Sequence, residues 1–284
     1  MTILVTAAGH LGRLAVKSLI ARGVAPTDIR VGARTLSKVD DLVALGVNAV
    51  ELDYDRPETV TAAVAGAEKV LLISASEPGK RVPQHQAVID AAKAAGVSQL
   101  VYTSAPHADS SSLILAPEHK ATEELIVASG VPATVLRNNW YHENYTGQVP
   151  GAAESGVLIG SAGTGRVASA SRADYAEAAA AVLTTEGHIG QTYELAGDTA
   201  WDYAGLAAAI SEITGRPVGY QNLDTAAHVA ALTGFGLDEG TAGFVSALDA
   251  NIAEGTLAEA SNVLSGLIGR PTTPLVDGLR ADLA

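Results

Sequence analysis

The chain has 284 residues, with 18 Lys and Arg against 31 Asp and Glu and a formal net charge of −13. A surface this acidic repels phosphate backbones and anionic lipid, which argues against nucleic acid and membrane surfaces as partners. No cysteine is present, so disulfides, thiolate nucleophiles and cysteine-held metals are excluded, while 48% hydrophobic residues are ample for one large domain and a smaller companion.

Residues 2–6 are a short β-branched run that predicts a first strand. Leu11, Leu14, Ala15, Ser18 and Leu19 then recur at helical spacing, with Gly23 where the helix would stop. A second strand is predicted over 29–33. Leu36, Val39, Leu42 and Val43 mark a second helix ending at Gly46, and 47–52 is a third strand. Pro57 suits the first turn of a helix that runs to Gly66. The nearly all-apolar stretch 70–74 reads as a strand covered on both faces. A helix over 84–95 before Gly96, a strand over 100–103, a helix over 117–129 closed by Gly130 and a strand over 133–136 follow. From 147 to 165 the chain is rich in Gly, Ser and Ala and is expected to make an irregular excursion over the sheet edge. An Ala-rich helix over 174–183 and a strand over 191–195 return to the sheet, and from about 198 a mainly helical lid is expected.

This alternation implies an α/β fold, a Rossmann-type doubly wound parallel sheet. Its dinucleotide-binding domain would span 1–146, with returning segments near 166–196. Residues 147–165 and 197–284 would form a smaller substrate domain. Ligands of such sheets bind beyond the carboxyl ends of the strands, where the strand order reverses. The amino-terminal residues read as a strand and not as a leader, and no apolar run is long enough to span a membrane. A cytoplasmic location is expected.

The turn after the first strand runs Thr6-Ala7-Ala8-Gly9-His10-Leu11-Gly12. Gly9 lets backbone approach a pyrophosphate, Gly12 lets the helix pack tightly, and the helix N-terminus offers free N–H groups to phosphate. His10 and Leu11 lie between them. A dinucleotide loop usually opens on a glycine, and Thr6 or Ala7 stands there instead. The second strand ends at Arg34, with Lys38 four residues on. A carboxylate at this tip would accept from a ribose 2′-hydroxyl, whereas a guanidinium clamps a 2′-phosphate. The cofactor is therefore expected to be NADP(H). No metal is expected.

Asp53 follows the third strand and is a candidate to meet the adenine. Ser74 follows the fourth strand, and Tyr102, Thr103 and Ser104 end the fifth beside the same cleft. None of the eight tyrosines is followed by lysine four residues on, which excludes a tyrosyl–lysyl proton relay from a single helix. His119, on the helix where such a relay would lie, is a candidate proton donor or ribose contact, equally a surface or capping residue. Asn138, Trp140 and Tyr141 follow the sixth strand, where aromatic faces suit a flat substrate and amides orient it; a structural corner fits them too. His107 and Tyr141 complete the candidate catalytic set with His119.

The segments 69–74, 91–97, 102–104, 107–109, 136–145, 168–175, 193–198 and 220–223 together resemble the type 2 NAD(P)H:quinone oxidoreductases, in the NmrA-like group of atypical short-chain dehydrogenases. Arg34 and Lys38 match that family's NADPH-binding positions, and the altered glycine loop is the main departure. The resemblance implies hydride transfer from NADPH to a quinone, a two-domain form and a homodimer or higher homo-oligomer. The missing Tyr–Lys pair suits such chemistry, because a hydroquinone anion is a weaker base than an alkoxide and needs less help from an acid. Two alternatives remain open at this point: a carbonyl or ketone reductase, and a non-catalytic NADP(H) sensor.

Overall fold

The computed structural model describes residues 1–284. Five βα units build the first half: β1 (Ile3–Val5) and α1 (His10–Ala21), β2 (Ile29–Ala33) and α2 (Asp40–Val43), β3 (Asn48–Glu51) and α3 (Pro57–Val64), β4 (Lys69–Leu72) and α4 (Arg81–Ala95), and β5 (Gln99–Ser104) and α5 (Ala116–Ser129), followed by β6 (Ala133–Asn138). Gly96 and Gly130 end α4 and α5 with φ of 66° and 72°, left-handed caps that a side chain would strain. After β6 come α6 (Val149–Ser155), β7 (Val157–Gly160), β8 (Arg166–Val167), α7 (Arg172–Thr184) and β9 (Thr192–Leu195). The chain ends with β10 (Trp201–Asp202), α8 (Tyr203–Thr214), β11 (Gly219–Asn222), α9 (Thr225–Gly234), α10 (Glu239–Ala253), α11 (Val263–Ile268) and α12 (Leu275–Leu283).

Seven strands form one parallel sheet in the order β3-β2-β1-β4-β5-β6-β9. The winding reverses between β1 and β4, and that switch point sets the cleft. Every residue of β1 and β5 is buried, as strands covered on both faces require. One layer packs α1 and α7 on the sheet through residues such as Val16, Leu19, Ala179 and Leu183. The opposite layer packs α3 and α4 through Val60, Val64, Val88 and Ile89. A third core, around Leu206, Ile210, Leu248 and Leu279, lies among α8, α10 and α12.

Three expectations are corrected here. The stretch 147–165 is not irregular: it holds α6 and β7, and β7 pairs in parallel with β11. Within 197–284, α11 does not join the helical lid, since its Leu264 and Ile268 bury themselves in the core under α7. The helix expected over 36–43 splits into a 3₁₀ turn (Leu36–Val39) and the short α2. Arg13 reaches across from α1, donates to the Lys38 carbonyl and forks onto Asp41, and so takes an acceptor that a continuous helix would use. No helix is long and apolar enough to cross a membrane.

Candidate functional site

A cleft of about 940 Å³ opens over the switch point. Its floor is the turn between β1 and α1. The Thr6 hydroxyl donates to the Leu71 carbonyl at 3.0 Å and accepts from the Ile73 amide at 3.1 Å. The Tyr54 hydroxyl lies 2.6 Å from it and donates to the Ile73 carbonyl at 2.8 Å. Threonine at the loop's opening thus stitches β1 to β4. No residue of the loop has positive φ, which is why a glycine is dispensable at its start.

The two loop glycines serve different ends. A Cβ on Gly12 would fall 1.7 Å from the Ala7 carbonyl oxygen, so α1 can pack this tightly only without a side chain there. A Cβ on Gly9 would meet no atom within 4 Å, because that side faces the open cleft. Gly9 caps α1 without a side-chain hydrogen bond, and the first turn holds no acidic residue. The first-turn N–H groups of His10, Leu11 and Gly12 are thus left to an outside acceptor, with the helix dipole behind them. An uncapped helix end, an open Gly9 and a cleft of this size fit a dinucleotide pyrophosphate.

The β2–β3 side of the cleft holds the cations Arg34 and Lys38, beside Asp53 and Asp55. The Arg34 side chain is 72% exposed, its Nη1 3.8 Å from Glu77 on the opposite wall. Gly32 permits this edge, since a Cβ there would lie 2.7 Å from the Thr6 carbonyl oxygen. Asp53 also lines the cleft, with one carboxylate oxygen occupied by the Asp55 amide at 3.1 Å.

The wall after β4 is held peptide by peptide. The Ser74 amide donates to Thr103 Oγ1 at 2.9 Å, the Ala75 amide to His85 Nε2 at 2.9 Å, and Arg81 Nε donates to the Ala75 carbonyl at 2.6 Å. Because Nε2 of His85 accepts, its proton sits on Nδ1, which donates to Thr122 Oγ1 at 2.9 Å. Burial lowers the His85 pKa to about 4, so this neutral tautomer persists through the physiological range. Ser74 faces the cleft, whereas Thr103 holds it from behind.

On the β4–β6 side stand Tyr141, Glu143 and Arg172. The Tyr141 hydroxyl accepts from Asn138 Nδ2 at 3.3 Å, and the Arg172 guanidinium lies 4.9 Å from its ring centroid. Burial raises the Tyr141 pKa, against the opposing pull of Asn138 and Arg172. Burial likewise raises that of Glu143, whose carboxylate accepts from the Arg172 amide at 2.8 and 3.1 Å.

Several residues expected in the cleft lie elsewhere. Tyr102 and His119 are buried behind the β4 loop, 2.7 Å apart through the phenol and Nδ1, and burial lowers the His119 pKa to about 3. A group so shielded and so reluctant to take a proton is not placed to donate one to a substrate. Ser104 donates to Glu123, which pairs with Arg137. His107 sits beside a separate hollow of about 20 Å³, between Glu194 and Glu259, with a φ of 47°. That volume holds at most a water. Asn138 touches the cleft only through Tyr141, and Trp140 packs into the third core. Tyr54, Glu143 and Arg172 were not singled out from the sequence. A cation opening a helix, against the helix dipole, was the available signal for Arg172.

Residues 6–186 match the family model described as NAD(P)H-binding. Quinone oxidoreductase 2 of Escherichia coli strain K12 is 46% identical over 279 residues, 98% of this chain and 97% of that protein. The crystal structure of an NADPH-dependent quinone oxidoreductase from Escherichia coli complexed with NADPH superposes with a TM-score of 0.95 at 45% identity, covering 100% of both chains. Triphenylmethane reductase of Citrobacter sp. complexed with NADP(H) gives 0.94 at 34% identity over 99% of this chain and 100% of that one. The chain belongs to the NAD(P)H-binding family, alongside quinone oxidoreductase 2.

Proposed function

We propose that this protein is an NADPH-dependent quinone reductase. The observation that carries the reading is the polarity of one cleft: a pyrophosphate-accepting helix end at its centre, Arg34 and Lys38 on one side, and the Tyr141 ring under a guanidinium on the other. When bound, the reduced coenzyme supplies the hydride. Arg34 and Lys38 grip the 2′-phosphate, the α1 amides take the pyrophosphate, and the clamped Ser74 and Ala75 peptides wall the space between the two halves. Tyr141 offers a flat surface for the quinone, so catalysis here is chiefly the positioning of two rings. A homo-oligomer and a cytoplasmic location belong to the same reading, and sedimentation velocity tests the first.

The direct test is NADPH oxidation with a panel of quinones and simple ketones, with NADH as control. Quinones are expected to turn over and ketones not; the reverse order refutes the proposal. Arg34→Ala is expected to weaken NADPH binding by roughly tenfold to a hundredfold, the worth of a charge-assisted hydrogen bond of about 1.5–3 kcal/mol, and to leave NADH binding nearly unchanged. Equal losses for both nucleotides in a fluorescence titration would contradict the phosphate clamp.

A further inference from the structure

Four cleft-lining residues carry fixed positive charge: Arg13, Arg34, Lys38 and Arg172. The first three belong to the β2–β3 side, where Arg13 is consumed by Asp41 and the Lys38 carbonyl. Arg172 alone stands on the β4–β6 side, beside Tyr141. In a sheet wound about β1, a dinucleotide whose phosphates rest on α1 lays one half toward β2 and the other toward β4. The guanidinium of Arg172 therefore borders the end where hydride leaves.

Local structure accounts for only part of this guanidinium, which covers the Tyr141 ring. Arg172 opens α7, where a cation opposes the helix dipole. Its salt bridge to Glu143 is long, 3.9 Å from Nη1, because that carboxylate is already engaged by the Arg172 amide. Only Nη2 makes a hydrogen bond, to Asn144 Oδ1 at 2.8 Å. Nε and Nη1 keep free donors, and the side chain is one-fifth exposed. Glu143 and Asp282 share this wall and leave it no net positive charge. What it offers an anion is a directed donor on a mostly buried guanidinium.

We propose that Arg172 binds the oxyanion of the reduced substrate, donating from the free edge of its guanidinium while Tyr141 holds the ring. The assignment rests on the quinone reading above. The quinone gains a hydride, two electrons and one hydrogen, as the C–H bond of the reduced nicotinamide breaks and the coenzyme is oxidised. The product is a hydroquinone monoanion, which then takes one proton from water. A guanidinium at the nascent oxygen stabilises the charge as it forms, and a planar donor edge suits an aryl oxyanion.

The test uses a phenol whose ionisation is visible, 4-nitrophenol, added to protein saturated with NADP⁺, so that no turnover is involved. In the wild type the bound probe should ionise at a pH lower by about one unit or more than in Arg172→Gln, as a cation within hydrogen-bond reach requires. Arg172→Lys should restore part of the shift, and NADP⁺ affinity should stay within about threefold in both variants, a free-energy change under about 0.7 kcal/mol. With quinone substrates, Arg172→Gln should lower kcat by roughly tenfold to a hundredfold with KM for NADPH unchanged. Equal ionisation of the probe in wild type and Arg172→Gln, or a wild type that takes up no phenolate, overturns the assignment. So does a large loss of NADP⁺ affinity without a probe shift, which would make Arg172 a coenzyme clamp. A wild type that lowers the pH at which the probe ionises yet reduces no quinone leaves Arg172 as an oxyanion binder and refutes only the quinone reading.

Discussion

Gly12→Ala will cost the protein both its dinucleotide and a large part of its stability, while Gly9→Ala, three residues earlier, will cost it the dinucleotide alone. At Gly12 the new methyl group would lie 1.7 Å from the Ala7 carbonyl oxygen and 3.2 Å from Ile73 Cδ1. The first of these is backbone, so no rotamer change relieves it, and α1 must lift from the turn that supports it. Overpacking of this kind reaches about 3 kcal/mol, which lowers Tm by roughly 5 °C in a chain of this size. The displaced helix end also withdraws the amides offered to the pyrophosphate. At Gly9 the backbone has φ −70° and ψ −172°, extended geometry that alanine adopts freely. No protein atom lies within 4 Å of the added methyl, so stability should stay within about 0.5 kcal/mol of wild type. The methyl group instead occupies the space a phosphate would need, and NADP⁺ affinity should fall at least tenfold, about 1.4 kcal/mol. Thermal melts with and without NADP⁺ separate the two cases. A Gly12→Ala protein as stable as wild type, or a Gly9→Ala protein that binds NADP⁺ normally, would show that the cleft floor has been misread.

The same two glycines show why this site was partly legible in the sequence. A strand, a turn and a helix are local, so the loop and the chemistry of its end can be read from adjacent residues. Arg34 and Lys38 are legible for the same reason: the tip of β2 is defined by where its apolar run stops. What local pattern cannot show is which face of a later helix turns toward the ligand. His119 was expected near the cleft, yet α5 turns it toward Tyr102 and away from the opening. Likewise β7 is disguised within a Gly- and Ala-rich stretch, because its partner β11 begins 59 residues after β7 ends and the pairing energy appears only once the chain has closed. Arg172 lies 31 residues beyond the Tyr141 it covers, and a parallel backbone bridge between Ala170 and Tyr141 brings it to the cleft. Non-local assembly is therefore where the sequence reading stopped, for the fold and the site alike.

The buried histidines make the protein acid-sensitive between about pH 6.5 and 4 and set the direction of the effect. His85 and His119 have pKa values lowered to about 4 and about 3, chiefly by burial and then by Arg81. Burial lowers those of His142 and His228 as well. In the unfolded chain each histidine titrates near pH 6.5, so as pH falls below that value the unfolded state takes up protons that the folded state refuses. Stability is then fully present above about pH 6.5 and declines as pH falls toward the folded-state values, by about 1.4 kcal/mol per pH unit for each such histidine. With two strongly shifted groups the slope approaches roughly 3 kcal/mol per unit, a large share of an ordinary folding free energy of about 5–15 kcal/mol. Carboxylates held low by partners, such as Asp41 beside Arg13 and Asp109 beside Arg137, act in the same direction only below their ordinary range near pH 4. The raised Glu143 acts in the opposite direction. The window from 6.5 to 4.5 therefore reports mainly on the histidines. His85→Gln isolates one of them, since its amide can still accept from Ala75 and donate to Thr122, the two bonds the imidazole makes, but cannot take a proton. Urea unfolding at half-unit pH steps should show the wild type losing stability throughout this window and His85→Gln losing it less steeply, by about 1.4 kcal/mol per unit. A wild-type curve that is flat from pH 6.5 to 4.5, or a variant with the wild-type slope, would mean that His85 is not held neutral against the Ala75 amide and that the cleft wall after β4 is fixed by other bonds.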